Sequence, residues 1–169
     1  MGGIEADVME FMSRLGRTYG LGELHSRVIG FLYIEPEEVS MEDIANRTGY
    51  SLASISNTMK MLEAVGMVKR IKKPGTKKVF FYMEKNLAKL NIMKLNAAYN
   101  NFIKPTKETL PGIIDRYRDK VKDEKSKKKL RIMEDYYVQL LQFEEITRKW
   151  ITDLEELSSK SLSFEEGRR

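Results

Sequence analysis

Two short helical patterns followed by a basic turn, all within residues 40–83, constrain this chain more than any other feature. Ser40 can cap a helix over 41–47, because a serine followed three residues later by an acid is close to a capping box. Ser51 can cap a second helix over 52–64. Glycines end both helices, so the segment is predicted as helix, tight turn, helix.

Directly after these helices, two β-rich stretches over 67–71 and 78–83 enclose a basic loop. The loop sequence is Lys72-Lys73-Pro74-Gly75-Thr76-Lys77, and Pro-Gly is a strong turn signal. A β-hairpin with a basic tip is therefore predicted. Helix, turn, helix and basic hairpin in this order predict a winged helix-turn-helix fold.

Apolar periodicity predicts that the rest of the chain is helical. Pro105 and Pro111 are expected to interrupt the chain between two of the helices. The fold class is therefore mainly α with a small β-hairpin wing: a winged helix-turn-helix domain over 1–84, its N-terminal helix contributing to a dimer, and a helical dimerisation region over 85–169. The predicted helices outside the motif cover residues 4–19, 23–33, 85–104, 113–121 and 126–157.

Positive charge is concentrated in the winged segment. The whole chain has a net charge of +5, whereas residues 44–83 alone hold eight Lys or Arg residues and one acid, Glu63. A concentrated basic surface is the electrostatic footprint of a polyanion partner. Together with the element order, this charge predicts that residues 1–84 bind double-stranded DNA.

The predicted helix over 52–64 has two different sides. Leu52, Ile55, Met59 and Leu62 lie within about 80° of one another at 100° per residue, and they are predicted to be buried. Small and polar residues on the opposite side would let the helix enter the major groove. This side and the hairpin tip supply the predicted DNA-binding residues: Ser51, Ala53, Ser54, Ser56, Asn57, Lys60, Lys72, Lys73, Lys77 and Lys78.

The predicted contacts differ in kind. Asn57 can pair bidentately with an adenine edge, and Lys60 is expected to meet phosphate or guanine. Ser54 and Ser56 can reach a base or a phosphate. The hairpin lysines are expected beside phosphates or in a minor groove, where counterion release stabilises them.

Composition excludes several kinds of site. The chain has no cysteine, so disulfides, thiolate catalysis and cysteine zinc sites are ruled out, and the single histidine, His25, is interpreted as a surface or interface residue. The sequence has no phosphate-binding loop and no nucleophile elbow. Glu144 is interpreted as part of a helix-surface ion pair with Arg148 rather than as a catalytic acid. We expect no enzyme activity, no cofactor and no metal.

Targeting signals are also missing from the sequence. No apolar run approaches the ~20 residues that a membrane helix needs. The first residues have neither the basic start nor the apolar core of a signal peptide. A cytoplasmic protein without a membrane partner is therefore expected.

The stretch Ser51–Glu84 resembles MarR-like winged-helix regulators, and it is most similar to the GbsR branch. The resemblance implies a homodimeric transcriptional regulator, often a repressor, whose flanking helices make the dimer. Some members of that branch sense a small molecule, choline in the best-known case, so an effector of unknown identity is possible. The similarity lies in Ser56-Asn57 before Leu62-Glu63, Gly66 at the helix end, Lys73-Pro74-Gly75 in the wing, and the exit residues Tyr82 and Glu84.

The last predicted helix has apolar residues at heptad-like spacing. Because a chain of 169 residues cannot easily cover so broad an apolar arc, a homodimer is predicted. Two alternatives stay open, a winged-helix module for protein–protein contact and a chromatin-type protein that binds DNA without sequence preference. The polar side of the helix over 52–64 argues for base reading over both. The apolar residues are Met133, Tyr136, Leu140, Phe143, Trp150, Leu154 and Leu157.

Overall fold

The computed structural model describes the backbone of residues 3–18 and 20–166, and the side chains of residues 3–18 and 20–159. The chain divides into two compact units, Met1–Leu90 and Asn91–Arg169. Each unit is described by itself below. Tyr19, the last residue of the predicted first helix, lies outside the described residues.

Four helices build most of the first unit. They are α1 (Ile4–Thr18), α2 (Glu23–Ile34), α3 (Met41–Thr48) and α4 (Leu52–Ala64). Ser40 caps α3 as predicted, since its hydroxyl accepts a hydrogen bond from the Asp43 N–H. Gly49 ends α3 with a positive φ of 78°, a conformation that favours glycine.

A three-stranded antiparallel sheet completes the first unit, with strand order β1-β3-β2. The strands β2 (Val68–Lys72) and β3 (Val79–Met83) form the predicted hairpin, with Lys72 opposite Val79 at its last pair. The third strand, β1 (Val39–Ser40), is absent from the prediction. It pairs with Phe80 and Phe81 of β3. A two-residue strand is too short to leave an alternating pattern in the sequence.

The helices α1 and α2 pack at very short range. A Cβ atom added at Gly16 would lie 1.8 Å from the Ser26 Oγ, and one at Gly30 would lie 3.0 Å from the Met12 side chain. Only glycine lets the two backbones approach this closely. Behind them, buried side chains from α2, α3, α4 and the sheet form one core.

Lys85 ties the chain after β3 back to α2. Its Nζ donates hydrogen bonds to the carbonyl oxygens of Leu32, at 2.6 Å, and Met83, at 2.7 Å. Burial lowers the pKa of this lysine below its ordinary value. Because Lys85 caps a carbonyl in the last turn of α2, the residues just past the wing belong with the first unit.

The remaining elements are helical. They are α5 (Leu87–Ala98), a π-helical segment (Tyr99–Ile103), α6 (Lys104–Arg118) and α7 (Glu124–Glu166). The prediction of a separate helix over 113–121 is wrong, because α6 runs through Pro111 without a break. Pro105 is the second residue of α6, directly after the π-helical segment. The final helix also extends beyond the predicted end at residue 157.

An ion cluster joins α6 to α7 inside the second unit. The predicted pair of Glu144 with Arg148 is present at 2.9 Å, but the Glu144 side chain is only 8% exposed and also accepts from Lys107 at 2.7 Å. The interpretation as a surface pair is therefore wrong for the carboxylate. Hydrogen bonds from Lys107 and then Arg148 hold the pKa of Glu144 below its ordinary value.

Candidate nucleic-acid interface

The N-terminal end of α4 is fixed by two serine hydroxyls. The Ser51 Oγ accepts a hydrogen bond of 3.2 Å from the Ser54 N–H, and the two hydroxyl oxygens lie 2.9 Å apart. Ser51 is therefore the helix cap that its position predicts. Both hydroxyls have a partner within the helix, and their mutual contact uses one of the two O–H donors.

The outer side of α4 matches the prediction only in part. Ala53, Asn57 and Lys60 are exposed, and among the described residues none hydrogen-bonds the Asn57 amide. Ser56 is half-buried and borders a small cavity of about 50 Å³ that Phe81 also lines. The structure therefore leaves one free amide and one free ammonium on this side of the helix.

The inner side of α4 differs from the prediction at two positions. Ile55, Met59 and Leu62 are fully buried as expected. Leu52, however, is 46% exposed, so the prediction that it is buried is wrong. Thr58 takes up part of the buried side instead, with an exposure of 1%. Leu52 lies in the first turn, ahead of the part of α4 that packs on the core.

The wing hairpin carries its lysines outward. Lys72, Lys77 and Lys78 are exposed, and the loop turns at Gly75 with a φ of 77°. The Lys78 N–H donates to the Thr76 Oγ1 at 3.1 Å, which closes a local turn next to the glycine. Three ammonium groups thus extend from one end of the sheet without a carboxylate partner among the described residues.

Lys73 differs from the other wing lysines. Its Nζ lies 2.6 Å from the Glu38 Oε1 and 4.5 Å from the centre of the Phe80 ring. The hydrogen bond from Lys73 lowers the pKa of Glu38, so the carboxylate stays charged at neutral pH. The charge of Lys73, which the sequence assigns to DNA, is therefore partly neutralised within the chain.

Arg47 is also engaged internally. Its guanidinium donates to Glu5 of α1 and, at 2.6 Å, to Glu35 after α2, and it lies 4.6 Å from the centre of the Phe31 ring. Burial alone would lower the pKa of Arg47, but hydrogen bonds and charge from the two carboxylates raise it above the ordinary value. Arg47 counts toward the basic composition of the segment, yet it links three elements of the fold.

Sequence reasoning did not find the three ion pairs that Lys73 and Arg47 form. Helix rules describe charges three or four residues apart, whereas Glu38 and Lys73 meet only when the hairpin folds against the start of β1. The described residues contain no group of three or more His, Cys, Asp or Glu side chains placed to hold a metal ion. No helix in the described part of the chain is long and apolar enough to cross a membrane.

Residues 19–78 match the model of the MarR family. This range covers α2, α3, α4, β1, β2 and the wing loop. The fold of the first unit matches a MarR-type winged helix. The predicted fold class, mainly helical with a small antiparallel sheet, is confirmed.

Similar proteins include a curated transcriptional regulator and a solved structure. Over 88 residues this chain is 31% identical to the HTH-type transcriptional regulator MmpR5 of Mycobacterium tuberculosis (strain ATCC 25618 / H37Rv). The aligned residues cover 50% of this chain and 53% of that protein. The chain thus spans about half the length of the curated relative that it matches. A crystal structure of a transcriptional regulator aligns with a TM-score of 0.66 at 19% identity, over 92% of this chain and 98% of that one. That likeness concerns the fold alone.

The predicted DNA-binding residues all lie in or next to the helix-turn-helix and the wing of the MarR-type fold. In this fold α3 and α4 form the helix-turn-helix and the β2–β3 hairpin forms the wing, and all ten predicted DNA-binding residues belong to these elements or to Ser51 before α4. Their contacts with DNA stay a prediction. The GbsR branch of the resemblance also stays a prediction, since the matching family model is the broader MarR family.

Proposed function

We propose that this protein is a sequence-specific, double-stranded DNA-binding transcriptional regulator that acts as a homodimer. The single observation that carries the proposal is the exposed side of α4, with Asn57 and Lys60 free, beside a wing with three outward lysines. A polar, uncovered helix face next to a basic hairpin matches the recognition helix and wing of a DNA reader. The MarR-type fold and the similarity to the transcriptional regulator MmpR5 support the same function.

In the proposed complex, α4 enters the major groove with its N-terminal half toward the bases. Asn57 pairs with an adenine edge, and Lys60 meets phosphate or guanine. The wing lysines contact flanking phosphates or the minor groove. Two subunits read half-sites about 34 Å apart, which is one turn of DNA. Repression follows when such an operator overlaps a promoter, and a small-molecule effector would act by changing the spacing of the two α4 helices.

Uncovered apolar surface supports the homodimer. In α1, Phe11 is 54% exposed and Ile4 is 74% exposed. In α7, Phe143, Ile146 and Trp150 are each close to half exposed. Rows of large apolar side chains on single helices mark association surfaces, because contact with a partner removes them from water. We propose that a second copy covers them.

The oligomeric state has a direct test. Sedimentation at micromolar concentration is expected to give a dimer. Trp150→Lys introduces a charge into the proposed interface and is expected to weaken the dimer, whereas Lys149→Arg, an exposed neighbour on the same helix, is expected to leave it intact. A wild-type monomer at these concentrations would contradict the dimer proposal.

DNA binding is tested by fluorescence anisotropy on the duplex upstream of the protein's own coding sequence, against a scrambled duplex, over a salt series. A preference of ~10³ or more for one sequence is expected. Asn57→Ala is expected to cost about 1–3 kcal/mol and to relax the preference at one base pair. Asn96→Ala, which alters an exposed asparagine of α5, serves as the matched control.

The alternatives give different results in the same experiment. Equal binding to both duplexes with a steep salt dependence would mean a chromatin-type protein. Absence of binding at low salt would mean a protein-interaction module. Unchanged specific affinity in Asn57→Ala would contradict the proposed docking of α4.

A further inference from the structure

The first turn of α4 exposes an aliphatic surface where amphipathic spacing predicts burial. Leu52 is 46% exposed, and its neighbour Ala53 is exposed as well. Burial within α4 begins only at Ile55. The end of the helix that a DNA reader brings nearest to the bases therefore carries two adjacent aliphatic side chains.

The serine hydroxyls of this turn are partly engaged within the helix. The hydroxyl of Ser51 caps the helix, and the Ser54 hydroxyl is hydrogen-bonded to it. The first fully exposed polar side chain beyond this turn is that of Asn57, more than one turn from Leu52. From Leu52 to Asn57 the helix rises about 7.5 Å, which compares with about 3.4 Å per base along a DNA strand, so the two residues can meet different base pairs.

We infer that Leu52 and Ala53 read the C5-methyl groups of thymine in the major groove. This inference rests on the proposed function of α4 as the recognition helix. Thymine is the base that presents an apolar group on that edge, and contact with an aliphatic side chain removes the methyl from water. Cytosine at the same position would bring its amino group against leucine without a hydrogen-bond acceptor, which is unfavourable.

This arrangement predicts part of the operator sequence. Thymines lie under the first turn of α4, and the adenine paired with Asn57 lies further along the same groove. Discrimination at the thymine positions depends on the methyl group and not on hydrogen bonds. Discrimination at the thymine positions should therefore respond to base analogues differently from discrimination at the position that Asn57 reads.

Deoxyuridine provides the test, since it differs from thymidine only by the missing methyl. Full-length protein is titrated against its mapped operator with each thymine of one half-site replaced in turn. At the one or two contacted positions, binding is expected to weaken roughly fourfold for each methyl lost. Replacements elsewhere in the half-site are expected to have no effect.

A variant pair assigns the effect to the side chain. Leu52→Ala should lose the response to deoxyuridine at one position, because the two changes remove the same contact. Val65→Ala truncates an exposed aliphatic residue at the opposite end of α4 and should keep the full response.

Two results would overturn the inference. If every deoxyuridine duplex binds wild-type protein as tightly as the thymidine operator, while the operator is still preferred over scrambled DNA, methyl reading is wrong and the proposed function stands. If the protein does not distinguish operator from scrambled DNA, the proposed function fails and the inference fails with it. Both results come from the wild-type chain, so neither depends on how a variant folds.

Discussion

Replacing Glu38 with glutamine tests whether an internal carboxylate restrains the wing. Lys73 Nζ lies 2.6 Å from the Glu38 Oε1 and also stacks over Phe80, so one wing ammonium is held against the protein. Glu38→Gln keeps the size of the side chain and removes its charge. The ammonium of Lys73 then becomes available to a DNA phosphate, and we expect DNA binding to strengthen.

The structure limits how large this gain can be. The side chains of Lys73 and Glu38 are 40% and 31% exposed, so solvent and salt screen the pair and little energy is needed to open it. One additional phosphate contact steepens the salt slope by about 0.9. We therefore expect roughly two- to fivefold tighter binding at 50 mM salt, most of which disappears by 200 mM.

The expected pH behaviour follows from the same pair. The hydrogen bond from Lys73 lowers the pKa of Glu38, so the carboxylate is charged throughout the neutral range and protonates only below its ordinary pKa. The advantage of Glu38→Gln over wild type should consequently be constant around neutral pH. It should shrink only in acid, where wild-type Glu38 also becomes neutral.

Anisotropy titrations over a salt series measure the effect in four variants, each compared with wild type. Lys73→Ala should bind nearly as well as wild type, whereas Lys77→Ala, which removes an exposed wing lysine, should flatten the salt slope by about 1. Combining Glu38→Gln with Lys73→Ala should abolish the gain. The reasoning is refuted if Glu38→Gln leaves affinity and slope unchanged and Lys73→Ala behaves like Lys77→Ala.

Further predictions concern the stability of each unit. Gly16→Ala would place a Cβ 1.8 Å from the Ser26 Oγ, so urea unfolding should show the first unit destabilised by about 1–3 kcal/mol. Gly112→Ala, within α6 and with no atom within 4 Å of the new Cβ, should instead stabilise the second unit by about 0.5–1 kcal/mol. Glu144, whose pKa the Lys107 hydrogen bond lowers, should stabilise the second unit above its ordinary pKa and lose that contribution as the pH falls through the lowered pKa. Thermal melts of Glu144→Gln should therefore lie below wild type at neutral pH and converge with it in acid.

Local sequence rules predicted the helix-turn-helix and the wing turn well. The caps at Ser40 and Ser51 depend on one side chain and the N–H three residues later, and both are present. Pro74-Gly75 likewise marks the wing turn, because glycine readily adopts the positive φ that the structure has there. Interactions contained within four residues can be inferred from sequence, since the chain itself brings the partners together.

The errors come from contacts between distant parts of the chain. Leu52 fits the buried arc of α4, but burial also requires an element packed over it, and the described fold has none at the first turn. Glu38 meets Lys73 through the pairing of β1 with β3, and β1 is too short to predict. The pattern of a helix gives the direction of its side chains but not the extent of the surface that covers them.

The three internal ion pairs of Arg47 and Lys73 also bear on how this protein recognises DNA. Of the eight cations between residues 44 and 83, Arg47 and Lys73 are held by carboxylates, which leaves six to meet phosphates. Affinity for scrambled DNA depends on that number, and six contacts limit the salt slope to about 5 per chain.

A protein that binds only through charge gains nothing from neutralising a quarter of its cations. A regulator does gain, because weaker non-specific binding raises the ratio between operator and competing DNA. The internal pairs therefore favour base reading by α4 over chromatin-type binding. A slope for scrambled DNA well above about 5 per chain, which is about 11 for the homodimer, would reverse that argument.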